Sequence, residues 1–452
     1  MEVRKGVLFY MNIQLSDHFT YKNLLRFTLP SIAMMIFTSI YGVVDGFFVS
    51  NYVGKTPFAA VNFIMPFLMI LGAFGFMLGT GGSALISKTM GEGRMQKANC
   101  LFSMVVFVSI LLGILIAVLG ILFLRPVAAL LGAEGAMLDN CVLYGRIILA
   151  AIPAFMMQQE FQSFFIMAQK PQLGLYTTIT AGVTNMILDG LFIAVFRWGV
   201  AGAAIATGIS QFIGGAIPVL YFLRPNTSLL RLTRPSFDGR ALLRICANGS
   251  SELMSNVSMS LVGMLYNMQL MKYAGENGVA AYGVLMYVSM IFMAAFIGYT
   301  IGTAPVISYH YGAGNHDELK SLLKKSLIIV GLFSLGMLIL GEVLARPLSV
   351  IFVGYDTDLL QLTLRGFAIF SFSFLFSGFA IYGSGFFTAL NNGLISAIIS
   401  FLRTLVFQIA AILILPLIWE IDGIWISIVV AEVMAAVVTV LFWIGNKKRY
   451  HY

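Results

Sequence analysis

Asp45 and Asp189 are acids set in stretches that otherwise read as hydrocarbon. Asp45 follows Ile40-Tyr41-Gly42-Val43-Val44, and Asp189 sits between Met186-Ile187-Leu188 and Gly190-Leu191-Phe192. Each is preceded at four residues by a hydrogen-bonding side chain, Tyr41 before Asp45 and Asn185 before Asp189. On a helix such a pair shares one face, so each segment offers a carboxyl beside a polar group. A carboxyl withdrawn from water disfavours its charge and can take up a proton near neutral pH; two such groups close together titrate as one unit. The chemistry indicated is reversible binding of a proton or a small cation. The alternative is a structural pin between helices. Thr207 lies near the same depth, and Gln159 and Gln162 are helical neighbours three apart, which extends the polar set.

The elements that carry these acids follow from composition. The chain has 452 residues, 59% hydrophobic and only 10% charged, with a mean hydropathy of +0.93. Soluble domains carry about 25% charged residues, so a soluble enzyme, a nucleic-acid binder and a disordered chain are excluded. The three cysteines, Cys100, Cys141 and Cys246, lie in or beside apolar runs without metal-ligand spacing and read as small hydrophobes. The fold class is all-α integral membrane.

Spans of about 20 apolar residues cross a bilayer, and none of the runs shows the alternation of a barrel strand. Twelve are expected: 24–50, 57–83, 98–124, 141–168, 172–196 and 199–223 in the first half, and 246–271, 278–304, 326–345, 363–389, 394–418 and 423–445 in the second. With twelve spans both termini share a side. That side holds 19 of the 27 Lys and Arg, including Arg4, Lys5, Lys88, Arg240, Lys320 and Lys447, against seven on the other and Arg403 within a span. The positive-inside rule places both termini in the cytoplasm of a cell-membrane protein, and the net charge of +8 is mostly topology. No signal-peptide pattern precedes the first span.

The polar, basic stretch 224–245 divides the chain into lobes 1–223 and 246–452. At a constant offset of 221, Ile86-Ser87-x-x-x-Gly91-x-Gly93 falls on Ile307-Ser308-x-x-x-Gly312-x-Gly314. Tyr52 and Gly54 fall likewise on Tyr273 and Gly275, and Gly202 on Gly423. An even number of spans per repeat gives two lobes of like topology, a transporter plan.

These features together resemble the multidrug and toxic compound extrusion (MATE) family. The residues that carry the resemblance are Pro30 and Asp45 in the first span, the paired Ile-Ser-x-x-x-Gly-x-Gly turns, and Gly202-Ala-Ala-Ile-Ala-Thr207 with Gly423-Ile-Trp-Ile-Ser427. It implies two six-helix lobes that rock between inward- and outward-open states and export amphipathic, cationic organic molecules against an inward ion flow. It also implies that Tyr41, Asp45, Gln159, Gln162, Asn185, Asp189 and Thr207 form an N-lobe protonation and binding pocket, with Pro30 as a helix-bending hinge. The family's asparagines at the fourth-span positions are replaced here by glutamines. One branch of the family holds sodium in the C-lobe with acids of the seventh and tenth helices. Here the tenth span lacks an acid from Gly366 to Ala389, so protons are expected in preference to sodium, and no other cofactor or metal.

The remaining charges are more open. Glu252, after Asn248-Gly249-Ser250-Ser251, reads equally as a helix cap or as a cation or substrate ligand. Glu160 lines the central cleft or pairs with a base; Arg403 pairs with an acid or snorkels; Glu432 is packing or function. His310 and His316 read as solvated turn residues. The 25 Met and 38 Phe mostly face lipid or packed helices, and the basic linker can touch anionic lipid. A lipid-linked oligosaccharide flippase of the same plan is the main rival, and it would need cationic groups in its cavity where only Arg403 is basic. An integral-membrane enzyme would need a His/Asp/Glu cluster at a membrane face, and an ATP-driven pump a phosphate-binding loop; neither is present in the sequence.

Overall fold

The computed structural model describes residues 13–354 and 356–452, so Arg4 and Lys5 lie outside the described residues. Among the described residues the chain is helical with no strand. The first six spans are α1 (Tyr21–Tyr52), α2 (Lys55–Gly91), α3 (Met95–Leu130), α4 (Gly135–Met167), α5 (Pro171–Asp189), continued by a π turn over Gly190–Val195, and α6 (Gly199–Leu223). Next comes α7, Gly239–Gly312, whose 74 residues would run to about 110 Å as one rod, against about 30 Å of hydrocarbon. It is two spans: the backbone breaks at Gly275 (φ 60°, ψ −149°), a left-handed conformation that glycine adopts without a Cβ penalty. The expected spans 246–271 and 278–304 flank that break.

The ninth span is α8 (His316–Val353) and the tenth is α9 (Thr357–Phe370) with α10 (Phe374–Ala389). The eleventh is α11 (Gly393–Phe401), a π turn over Leu402–Val406 and α12 (Phe407–Ile414). The last is α13 (Pro416–Tyr450), bent at Trp419 and Glu420 (φ 50°). Twelve crossings result, in two six-helix lobes. Most helices outrun their apolar windows because hydropathy marks only the part in contact with hydrocarbon. The linker is correspondingly shorter than expected: α7 starts at Gly239, where the Asp238 side chain accepts from the Ala241 N–H at 3.0 Å and caps an otherwise unpaired amide.

Large apolar side chains such as Leu122, Leu130, Ile351 and Ile444 stay exposed on the outside, as a lipid-facing surface requires. The N-lobe interior is filled by Phe102, Phe161, Phe164 and Phe222, with ring centroids 5.0 Å apart for Phe102 and Phe222.

The lobes meet where α1 and α2 press on α7, and only toward one end. A Cβ built at Gly302 would lie 3.1 Å from Thr28 Cβ, and one at Gly298 2.6 Å from Ile32 Cα. One at Gly81 would lie 2.8 Å from the Gly249 nitrogen. This end carries Lys88, Arg94, Arg240 and Lys320 and is called the basic end below. Farther along the spans, Gly42, Gly46, Gly263 and Gly283 meet nothing within 4 Å. The outermost hydrogen bond between lobes, among the described residues, is Ser39 Oγ donating to Met290 O at 3.4 Å.

Candidate functional site

The N-lobe chamber is built where α1 and α5 touch. Gly182 on α5 makes the contact possible: a Cβ there would lie 2.6 Å from Phe37 Cε1 and 2.8 Å from Tyr41 Cδ1. The missing side chain lets the ring of Tyr41 lie on the α5 backbone. The residues one and two turns further along α5, Asn185 and Asp189, are then brought to Asp45. Asp45 faces both of them, and Tyr41 reaches Gln158 on α4.

The chamber is an array of polar groups without a counter-charge. Asp45 Oδ1, both Asp189 oxygens, Asn185 Oδ1 and Nδ2, and Thr207 Oγ1 are buried and complete no hydrogen bond. Neither acid belongs to an ion pair among the described residues. Asp189 is fully buried, whereas Asp45 is only partly so. Two facing carboxylates in low dielectric cannot both stay ionised without compensation. Chemically, such an arrangement can take up a proton between the two acids or a small cation among the Asp45, Asp189 and Asn185 oxygens.

Beside Thr207 a cavity of about 30 Å³ is lined by Gln211, Tyr144, Met65, Leu68 and Phe155. That is room for one water. An organic molecule does not fit in that cavity as it stands.

The other residues named from sequence are placed as follows. Gln162 Nε2 donates to Gln159 Oε1 at 2.8 Å, so these two buried amides bond to each other. Pro30 lies within an unbroken α1, one residue before Ser31, whose carbonyl lies 2.7 Å from a Cβ built at Gly298. Glu252 lies well inside α7 with no ion-pair partner among the described residues. The cap reading fails because Asn248–Ser251 is already helix. Glu160 neither lines the cleft nor meets a base. It is fully buried, beside the Ser109 hydroxyl, and a Cβ at Gly79 of α2 would lie 2.8 Å from its Cα. His310 is not solvated but 2% exposed in α7, whereas His316 is exposed.

Sequence reading missed Gln158, Tyr144 and Gln211. Gln211 had a signal, four residues after Thr207 on one helix face. Tyr144, which lines the small cavity with Thr207 and Gln211, had none.

The C-lobe carries a different polar cluster. Arg403, in the π turn of the eleventh span, donates from Nε to Glu432 Oε2 at 2.9 Å. Nearby, Tyr266 donates to Gln408 Oε1 at 2.7 Å and stacks on Tyr282 with centroids 5.4 Å apart. This acid has its counter-ion built in. Among the described residues no group of three or more His, Cys, Asp or Glu is placed to hold a metal.

Known proteins share this plan. A multidrug export protein MepA of Staphylococcus haemolyticus is 26% identical over 365 residues, 79% of this chain and 80% of its own length. MepA of Staphylococcus saprophyticus is 24% identical over 430 residues, 93% of each chain. Among solved structures, a MATE transporter in the straight conformation superimposes with a TM-score of 0.90 at 22% identity, covering 96% of this chain and 98% of its own. A multidrug resistance MATE family transporter in an outward-facing conformation gives 0.89 at 22% identity, covering 96% and 97%. The MatE family model matches twice, over residues 30–191 and 253–414. Matched once in each lobe and over most of its length, this chain belongs to the MatE family of membrane transporters and is not an enzyme.

Proposed function

We propose that the protein is a secondary antiporter that exports amphipathic, cationic organic compounds in exchange for protons taken up by Asp45 and Asp189. The observation that carries this reading is the facing pair of acids with no counter-charge among the described residues. Binding one proton removes the repulsion, and losing it restores the repulsion, so occupancy biases how α1 sits on α5. Tyr41, Asn185 and Thr207 surround the pair and Gln159 and Gln162 brace α4; Pro30, at the depth of the lobe contact, leaves one backbone carbonyl without its helical donor and gives α1 its hinge. Multidrug substrates are supported by the relatives named multidrug export protein MepA.

Alternating access is the cycle proposed, with the basic end facing the cytoplasm. Each charge moved through 100 mV supplies roughly 2.3 kcal/mol, and about 1.4 kcal/mol is a tenfold gradient. One proton thus supports export of a neutral molecule against roughly a fortyfold gradient, whereas its exchange for one monovalent cation moves no net charge and draws on the pH gradient alone. The cavity of about 30 Å³ beside Thr207 is too small for an organic molecule, which favours substrate binding between the lobes.

Protons are preferred to sodium because the tenth span has no acid from Gly366 to Ala389 and the seventh-span acid, Glu252, lies near its cytoplasmic end; Glu432, a further C-lobe acid, is already paired with Arg403. The same ion pair speaks against a flippase, whose cavity would need a free cation for pyrophosphate. The test is efflux of an organic cation from vesicles with a pH gradient and no sodium, compared with a sodium gradient at equal pH. Efflux under the pH gradient alone supports the reading. Efflux only with sodium, lost in both Asp45→Asn and Asp189→Asn, moves the coupling ion to sodium at the same site and overturns it.

A further inference from the structure

Residues 13–20, ahead of α1, form a compact strap rather than a loose lead. The Gln14 N–H donates to Asp17 Oδ2 at 2.8 Å, and Leu15 and Phe19 are both fully buried. The strap leads into the first helix of the N-lobe, yet it is held by the C-lobe. Glu318 on α8 is the anchor: its Oε1 accepts from the Phe19 N–H at 2.9 Å and its Oε2 pairs with His18 Nδ1 at 2.5 Å. Lys325, about two turns along α8, donates from Nζ to the Phe19 carbonyl. The Phe19 ring packs edge-on against Phe27 of α1 and His310 of α7. Glu318 is 6% exposed, so its charge is withheld from water and answered by the strap.

The repeat places a counterpart on the other lobe. The linker residues ahead of α7 lie on α3, the helix equivalent to α8. The Arg231 N–H donates to Asn99 Oδ1 at 3.0 Å and the Thr233 N–H to Ser103 Oγ at 2.8 Å. At the offset of 221, Lys97 corresponds to Glu318 and Ser103 to Lys324. Each lobe's lead-in segment is therefore fastened to the other lobe's third helix, one by neutral groups and the other by charged ones.

We infer that Glu318, with Lys325, is a positioning residue of the transport cycle: it fastens the strap across the lobes and holds the basic end shut. This rests on the alternating-access reading, in which that end must open. Neutral hydrogen bonds hold the linker, whereas the strap depends on a buried acid whose partners are a backbone amide and an imidazole from the opposite lobe. Separating the lobes at this end pulls those partners off α8 and leaves Glu318 uncompensated, so the strap ties the closed state to one ionic anchor.

The test uses full-length protein in lipid nanodiscs, without its native cysteines, with spin labels at Gln96→Cys on α3 and Lys320→Cys on α8, both exposed at the basic end. Pulsed dipolar distances are read without substrate or gradient, so the result stands apart from whether export is proton-driven. Glu318→Gln keeps the shape but loses the charge, and Lys325→Met removes the second tie. Each should raise the ratio of long to short distances about tenfold, the equivalent of one charged hydrogen bond. Asn315→Ala is the control. It removes the side chain that caps the same helix end, accepting from the Glu318 N–H at 3.2 Å, without touching the strap, and it should leave the distances unchanged. Unchanged distances in both Glu318→Gln and Lys325→Met overturn the inference. So does an equal shift in Asn315→Ala, which would make the effect one of helix-end folding. If Glu318→Gln does not fold, Lys325→Met alone decides the matter.

Discussion

Gly91 and Gly312, 221 residues apart, make one contact from its two sides. A Cβ built at Gly91 would run into the Tyr309 carbonyl, and one built at Gly312 into the Lys88 carbonyl; Lys88 and Tyr309 are themselves 221 apart. The same relation joins Gly81 with Gly249 and Gly302 with Thr28. The lobe interface is thus pseudo-twofold at the level of single atoms.

Alanine at either position should push the second spans apart at the basic end. Overpacking of a tight contact costs about 1–3 kcal/mol, and symmetry makes the two costs alike. Thermal melting in detergent of Gly91→Ala, Gly312→Ala and the double variant reads this. A marked loss in one variant beside none in the other would contradict the equivalence.

Asp45→Asn and Asp189→Asn should each bring pH-driven efflux to the level of protein-free vesicles while leaving melting within about 1 kcal/mol of the parent. Because the acids form one site, the double variant should be no worse than either single one. Efflux in vesicles and melting of the same preparations are the paired measurements. Retained gradient-driven efflux in both single variants would leave the two acids as helix pins.

The Arg403–Glu432 pair should behave as a buried couple. Arg403→Met alone leaves Glu432 uncompensated and should cost about 3–5 kcal/mol, whereas Arg403→Met with Glu432→Gln should recover most of it. A melting-based double-mutant cycle gives the coupling. A cycle energy near zero would show that the two charges are independently solvated.

Ser236 in the linker should react from the cytoplasmic side and Glu134 from the outside, after substitution by cysteine in a cysteine-free background. Both positions are exposed, whereas Ser228 is 6% exposed and unsuited to labelling. Labelling of position 236 by an impermeant maleimide on intact cells would invert the topology.

Much of the fold was legible because each span announces itself by length and apolarity, and the acids because a charge in such a span has no cheap reason to be there. What sequence did not reveal were matters of rotation and docking. Gln158, Gln159 and Gln162 sit within five residues on one helix, and periodicity alone does not say which meets Tyr41. Residues 13–20 precede the first span and mix apolar with polar side chains, so sequence carried no signal for their docking; only the fold shows Leu15 and Phe19 fully buried. His310 was misread for the same reason, since the Gly312-Ala-Gly314 turn after it suggested solvent while Phe19 covers it.

The two π turns, Gly190–Val195 and Leu402–Val406, fall in the fifth span of each lobe, one directly after Asp189 and the other around Arg403. A π turn holds one residue more than the helix around it, and each residue turns an α-helix by about 100°. In the N-lobe the π turn is the last turn of its span; in the C-lobe α12 follows it, so the stripe that carries Arg403 is not the stripe that continues beyond. The eleventh span is geared at that point: its two ends keep separate facings, so the end that holds the Arg403–Glu432 pair can be tuned by sequence without re-aiming the end that packs beyond it. Deleting one residue there would lock the two facings together and swing one of them a quarter-turn out of place.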